Sequence, residues 1–207
     1  MASIYDLKPK FQGLLRPVAN KLAASGCSAN QVTLFAVGLS IFVGGIIALN
    51  PRDEWLLLVL PPFLFFRMAL NAIDGMLARE HNMKSNLGLV LNELGDVVAD
   101  AALYLPFGLI KGIPGELITI VVLLAVVSEM TGIIGVQLGT TRHYEGPLGK
   151  SDRAFVFGFL GLLIGLGINP KPWISWVLAV MIVLLVMTIL NRARKALREV
   201  EPPRPPE

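Results

Sequence analysis

Apolar residues gather into six runs along the chain, at 31–50, 54–72, 87–110, 116–139, 154–168 and 172–190. Most approach the roughly 20 residues that a helix needs to cross about 30 Å of hydrocarbon, so the pattern predicts six spanning helices. The fifth run is the shortest and borrows a turn from the preceding "GKSDR". The second carries Pro61 and Pro62 near its middle, where lost amide donors and ring clashes predict a kink. Ahead of the first run, "IYDLKPKFQGLLRPVANKLAASG" places Leu14, Leu15, Val18 and Leu22 near one helical face, with Lys10 and Lys21 elsewhere. That spacing predicts an amphipathic helix at the membrane surface, against the alternative of a disordered basic tail. The fold class expected is all-α, a polytopic membrane protein of six transmembrane helices with an N-terminal amphipathic interfacial helix. Its segments are the interfacial helix at 1–30, the six-helix membrane domain at 31–192 and a cytoplasmic tail at 193–207. The end of that tail, "EVEPPRPPE", is Pro-rich and expected to be disordered.

Composition agrees with lipid as the solvent: 54% of the 207 residues are hydrophobic, 16% are charged and mean hydropathy is +0.66. Six spans put both termini on one side of the membrane. Of the 18 Lys and Arg, all fall on that side except Arg52, Lys111 and Lys171, which face the other, and Arg67, which lies inside a span. Both termini are therefore expected in the cytoplasm, with a bacterial inner membrane as the default compartment. The first 30 residues lack the apolar core of a cleaved signal peptide. The lone Cys27 excludes an intramolecular disulfide and a cysteine metal cluster. A net charge of +3 suits anionic headgroups and phosphates at the cytoplasmic face, and nothing points to nucleic acid.

Polar residues interrupt the second and third runs in a regular way. Asn71, Asp74 and Ala78 are spaced three and four apart, with Gly75 and Arg79 one position round; Gly88, Asn92, Asp96 and Asp100 recur every fourth residue. A step of four drifts only about 40° on an α-helix, so each helix presents one polar stripe. The connection "EHNMKSN", with Ser85 as N-cap of the next helix, makes the two an antiparallel hairpin whose ends meet at the cytoplasmic surface. Acids in a span face a wet cavity, a partner or an ion, because burial in lipid costs a few kcal/mol. Carboxylates with Asn carbonyl oxygens form an oxygen-only donor set, suited to a hard cation such as Mg²⁺, Mn²⁺ or Ca²⁺. Arg79 can hold a phosphate oxygen beside that ion, and Gly75, Ala78 and Gly88 permit close approach. Plain inter-helix hydrogen bonding is the competing reading. Glu129, a further acid within the fourth run, either lines the same cavity or pairs with Arg67.

Over residues 71–96 the chain reads N-x2-D-G-x2-A-R-x8-G-x3-N-x3-D. This resembles the CDP-alcohol phosphatidyltransferase family, whose motif is D-x2-D-G-x2-A-R-x8-G-x3-D-x3-D. Every spacing matches, and Asn71 and Asn92 replace the first and third Asp. Six spans, cytoplasmic termini, a surface helix and "SANQVT" before the first span are similar to the family as well. The resemblance implies an enzyme of phospholipid biosynthesis that binds a CDP-linked lipid in a cytoplasm-facing cavity, where an acceptor hydroxyl displaces CMP. It implies one or two divalent ions, Mg²⁺ or Mn²⁺, and a homodimer. By position, Asn71, Asp74, Asn92 and Asp96 become the metal ligands, with Asp96 also the catalytic general base. Asp74, Gly75, Ala78, Arg79 and Gly88 become the CDP-alcohol contacts. With neutral amides at two positions, weaker metal binding or loss of one ion is expected. Asp100, one turn beyond Asp96, is a candidate compensating metal ligand, and Glu93 a weaker one. Related enzymes also use basic residues near the loop "TTRHYEGPLGKSDRAF", which makes Arg142, Lys150 and Arg153 candidates for a phosphorylated acceptor; topology alone is the competing explanation for them. Arg192, Arg194, Lys195 and Arg198 are expected to be a juxtamembrane anchor. Two other functions remain open: a pseudoenzyme that binds a CDP-lipid or regulates, and an ion or solute carrier built on the acid stripe.

Overall fold

A computed structural model describes residues 4–143 and 146–200, with side chains from Phe11 onward. The end of the tail, 201–207, lies outside the described residues. Seven α-helices occur among them: α1 (Ile4–Ala24), α2 (Ala29–Leu49), α3 (Leu60–Glu80), α4 (Asn86–Tyr104), α5 (Gly115–Gln137), α6 (Lys150–Gly165) and α7 (Ile174–Val200). Short 3-10 turns at Glu54–Val59 and Leu105–Leu109 precede α3 and follow α4. The segments Ala29–Leu49, Glu54–Glu80, Gly115–Gln137 and Ile174–Val200 are long and apolar enough to cross a membrane. The other two expected spans differ for physical reasons. α4 carries Glu93, Asp96 and Asp100 and stops at Tyr104, ahead of Pro106, and α6 has only 16 residues even with its turn borrowed at Lys150.

The expected kink at Pro61 and Pro62 is not a mid-helix break. Both prolines stand in the first turn of α3, just after the 3-10 turn, where a missing N–H costs no intrahelical bond. At its other end α7 runs on to Val200, beyond the apolar run that ends at residue 190.

The chain forms two compact units, Met1–Ile46 with Pro61–Leu103, and Ile47–Leu60 with Tyr104–Glu207. In the first, α1, α2 and α3 share a core of Ala19, Ala29, Val32, Ala36, Leu70, Ile73, Met76 and Leu77. The amphipathic face of α1 is narrower than its spacing suggested: Leu15 and Leu22 pack on this core, whereas Leu14 and Val18 stay exposed. Arg16 on α1 donates to both carboxylate oxygens of Glu80 at 3.0 Å, which ties α1 to the end of α3 and raises the Arg16 pKa above its ordinary value. α2 and α4 approach closely, for a Cβ on Gly44 would overlap the Ala102 carbonyl and one on Gly95 would stand 2.7 Å from Val37 Cγ2.

In the second unit, Tyr104 stacks on Phe157 with ring centroids 4.0 Å apart, and Phe107 meets the same ring edge-on at 5.2 Å. Gly161 and Gly165 let α6 approach the 3-10 turn, since Cβ atoms there would lie 3.1 Å from the Leu57 carbonyl and 2.8 Å from Leu58. α7 buries a stripe of Ile174, Leu178, Met181, Leu185, Thr188, Arg192 and Ala196. The α2–α4 contact gives a direct test. Gly44→Ala should destabilise by about 1–3 kcal/mol through overpacking, read as a lower thermal midpoint in detergent. Gly38→Ala, whose Cβ meets nothing within 4 Å, is the control and should leave the midpoint unchanged.

Candidate active site

The hairpin of α3 and α4 begins with Ser85, as the connecting sequence implies. Its Oγ accepts the Gly88 N–H at 2.9 Å, satisfying one of the free amides in the first turn of α4. Below that turn the two polar stripes meet side by side. Asn71 Nδ2 donates to Asp96 Oδ1 at 3.2 Å, and Arg67 Nη1 donates to Asp100 Oδ1 at 2.6 Å. Arg67 Nη2 also reaches the Asp96 carbonyl at 3.2 Å and lies 3.6 Å from Asp96 Oδ1. Pairing 67 with 100 and 71 with 96 defines an antiparallel register. Carried one turn further, it brings residues 74 and 75 level with Asn92.

Asp74 is buried at 6% exposure, and α2 holds it: Thr33 Oγ1 donates to Asp74 Oδ2 at 2.8 Å. Thr33 ends the "SANQVT" segment, and the rest of that segment serves the same end of the unit. Ser28 and Gln31 form a reciprocal capping box on α2, with Ser28 N–H donating to Gln31 Oε1 at 2.8 Å and Gln31 N–H to Ser28 Oγ at 3.3 Å. Asn30 Nδ2 reaches Ser85 Oγ at 3.5 Å. A Cβ on Gly88 would lie 2.7 Å from Asn30 Oδ1, so the glycine admits this contact. Gly75 likewise makes room for Arg79, whose Nη1 would stand 3.1 Å from an added Cβ. Arg79 is exposed at the end of α3, Ala78 and Asn92 are half-buried, and so is Glu93.

The hairpin thus brings Asn71, Asp96, Asp100 and Arg67 together and sets Asp74 against Thr33. Among the described residues no three His, Cys, Asp or Glu side chains converge as a metal cluster. The donors beside the stripe are two carboxylates, Asp74 and Asp96, with the amides of Asn71 and Asn92. An oxygen set of that charge fits one hard divalent ion.

The partners of Arg67 lie on α4, whereas Glu129 finds its partners within its own unit. It sits on α5, 7% exposed, among arginines of its own unit. Arg153 Nη2 donates to Glu129 Oε1 at 3.0 Å, Arg192 Nη1 lies 3.5 Å from the same oxygen and Arg142 Nη2 lies 3.6 Å from Oε2. Arg192 Nη1 also donates to the Ser128 carbonyl at 2.6 Å. Arg192 is therefore a buried member of this cluster and not part of a surface anchor. Its place on the heptad-like stripe of α7 marks it as inward-facing. Lys150 opens α6 and is half-buried. The loop before α6 rests on α7, with Gly146 against Thr188 and the Leu148 N–H donating to Thr188 Oγ1 at 3.1 Å. Three guanidinium groups thus converge on Glu129.

Fold and site together define a helical membrane protein with an acid-bearing hairpin of fixed motif. The profile of the CDP-alcohol phosphatidyltransferase family matches residues 27–190, and the chain belongs to that family. It is 43% identical over 174 residues to the Escherichia coli inner membrane protein YnbA, covering 84% of this chain and 85% of YnbA. An uncharacterized Aquifex aeolicus protein is 35% identical over 101 residues, 49% of this chain and 47% of that protein. In fold the chain is similar to Mycobacterium tuberculosis phosphatidylinositol phosphate synthase (PgsA1), crystallised with CDP-DAG bound. The TM-score is 0.69 at 18% identity, over 90% of this chain and 92% of that one. Family membership makes the chain a transferase of phospholipid biosynthesis, and members generally depend on a divalent cation. The pseudoenzyme reading finds no support in these likenesses.

The Glu129 cluster yields a stability prediction. Glu129→Gln strips the shared counter-charge from Arg153 and Arg192, which are 1% and 2% exposed, and should cost about 3–5 kcal/mol, seen as a large drop in thermal midpoint. Glu80→Gln, which breaks the exposed pair with Arg16, should leave the midpoint nearly unchanged.

Proposed function

We propose that this chain transfers a phosphatidyl or related phosphoalcohol group from a CDP-alcohol to a hydroxyl acceptor, with release of CMP. The observation that carries this reading is the α3–α4 hairpin, whose Asp74, Gly75, Arg79 and Asp96 keep the spacing of the family motif and whose facing stripes meet through Asn71 and Asp96. In the reaction the acceptor oxygen bonds to the lipid-bearing phosphorus, the phosphorus–oxygen bond to CMP breaks, and the acceptor proton passes to a base. Asp96 is the base in this reading, half-exposed and held in place by Asn71 and Arg67. Asp74, Asn71, Asn92 and Asp96 would be the oxygen donors to Mg²⁺ or Mn²⁺, with Thr33 fixing the direction of Asp74. A bound divalent ion supplies charge neutralisation at the diphosphate. Arg79 contacts a phosphate oxygen, and Gly75, Ala78 and Gly88 border the cytidine. Asp100 acts in this scheme by orienting Arg67.

The acceptor is a phosphorylated alcohol in this reading, because Arg142, Arg153 and Arg192 gather around Glu129 and Lys150 lies close by in sequence. The protein works in a bacterial inner membrane as a homodimer, with both termini and the active site cytoplasmic; the distribution of Lys and Arg and the name of the YnbA relative support the compartment.

Purified protein with Mg²⁺ or Mn²⁺ and CDP-diacylglycerol should release CMP when the matching acceptor is supplied, and a chelator should stop it. Asp74→Ala and Asp96→Ala should each lower the rate by more than roughly a hundredfold. CMP release that survives both substitutions would sink the mechanism.

A further inference from the structure

We propose that Glu199 is a positioning residue for a phosphate-bearing acceptor, gripping the chain on both sides of Arg142 and so fixing where that guanidinium stands. This rests on the phosphorylated-acceptor reading above and adds to it the residue that sets the loop. α5 ends in a left-handed turn at Gly139, with φ of 84°. Thr140 is tied back to the helix, its N–H and Oγ1 both donating to the Gly135 carbonyl, at 3.2 and 2.7 Å. From there the chain crosses to α7. Thr141 N–H donates to Glu199 Oε1 at 2.9 Å, Thr141 Oγ1 donates to Glu199 Oε2 at 3.2 Å, and His143 Nε2 lies 2.9 Å from that same Oε2. Arg142, between them, goes to Glu129 on α5, its Nη2 3.6 Å from Oε2. One carboxylate thus holds residues 141 and 143 while the side chain between them reaches the buried cluster.

The setting of Glu199 agrees with this role. A carboxylate in the last turn of a helix opposes the helix dipole, so its place near the end of α7 is unfavourable for the helix itself and is offset by the contacts it makes to the loop. Glu199 stands seven residues after Arg192, two turns on and within about 20° of the same face. Between them Ala196 packs on α5, 3.4 Å from where a Cβ on Gly135 would lie, and a Cβ on Gly132 would stand 3.1 Å from the His143 carbonyl. The loop is therefore seated on two glycines of α5 and held from the α7 side by Glu199. An arginine has a long stem with many rotors, and fixing its backbone before a ligand arrives lowers the ordering that binding must impose.

The test titrates inorganic phosphate onto the full chain in detergent, free of divalent ions, with affinity read from the thermal midpoint and the Thr141 amide followed by hydrogen exchange. Glu199→Ala should weaken phosphate binding about tenfold, Arg142→Gln should weaken it at least as much, and the double variant should be no weaker than Arg142→Gln alone. Glu199→Gln, which keeps an oxygen for the Thr141 N–H, should fall between wild type and Glu199→Ala. Arg198→Ala, one position away, should bind as the wild type does. The Thr141 amide should exchange faster in Glu199→Ala; equal exchange would overturn the proposal. So would phosphate affinity unchanged in Glu199→Ala, or losses that multiply in the double variant, because a merely structural tie acts without Arg142. If Glu199→Ala does not fold, Thr141→Val against Thr141→Ser decides: the first removes the hydroxyl and should weaken binding, the second keeps it, and equal affinities overturn the proposal. Wild-type binding that is absent, or indifferent to Arg142→Gln, defeats the acceptor reading and this proposal with it. Sensitivity to Arg142→Gln with indifference to Glu199→Ala defeats this proposal alone.

Discussion

A buried carboxylate must be given hydrogen bonds or counter-charge, and this chain meets that requirement at Asp74, Asp96, Asp100 and Glu129. Asp74 takes the Thr33 hydroxyl, Asp96 the Asn71 amide, Asp100 the Arg67 guanidinium and Glu129 a group of arginines. Each of these bonds joins different helices. In lipid, where apolar surface drives little association between helices, such bonds and close glycine contacts set the register. The polar residues that make chemistry possible are thus also the ones that align α2, α3 and α4.

The hexapeptide before the first span shows how much can depend on a short segment. Its Ser28 and Gln31 cap α2, its Asn30 meets the cap of α4, and its Thr33 holds the acid of α3. Three helices of one unit are referenced to a single helix start. Asp74 lies one turn from Asn71 on α3, so the hydroxyl on α2 and the amide facing α4 brace the same stretch of helix from two sides.

Much of this was legible in residue pattern. Helix positions followed from apolar runs, and the facing stripes from the i, i+4 recurrence of Asn92, Asp96 and Asp100. Ser85 was recognisable as a cap because a short polar side chain stood just before the apolar run. What pattern did not carry was partner choice. Glu129 is the acid that the sequence suggests for Arg67, whereas the antiparallel register of α3 and α4 gives it Asp100. Arg192 sits among three other basic residues, and its burial depends on how α7 packs on α5. The prolines at 61 and 62 lie inside an unbroken apolar run, so hydropathy could not separate the 3-10 turn from the helix that follows it.

The Arg67–Asp100 bond also bears on how the protein is made. The two partners lie 33 positions apart, so the arginine leaves the ribosome well before the acid that neutralises it. A lone α3 presented to the lipid at that moment would carry an unmatched cation. Threading α3 and α4 into the membrane as a pair removes the mismatch, and the hairpin becomes the natural unit of insertion during synthesis.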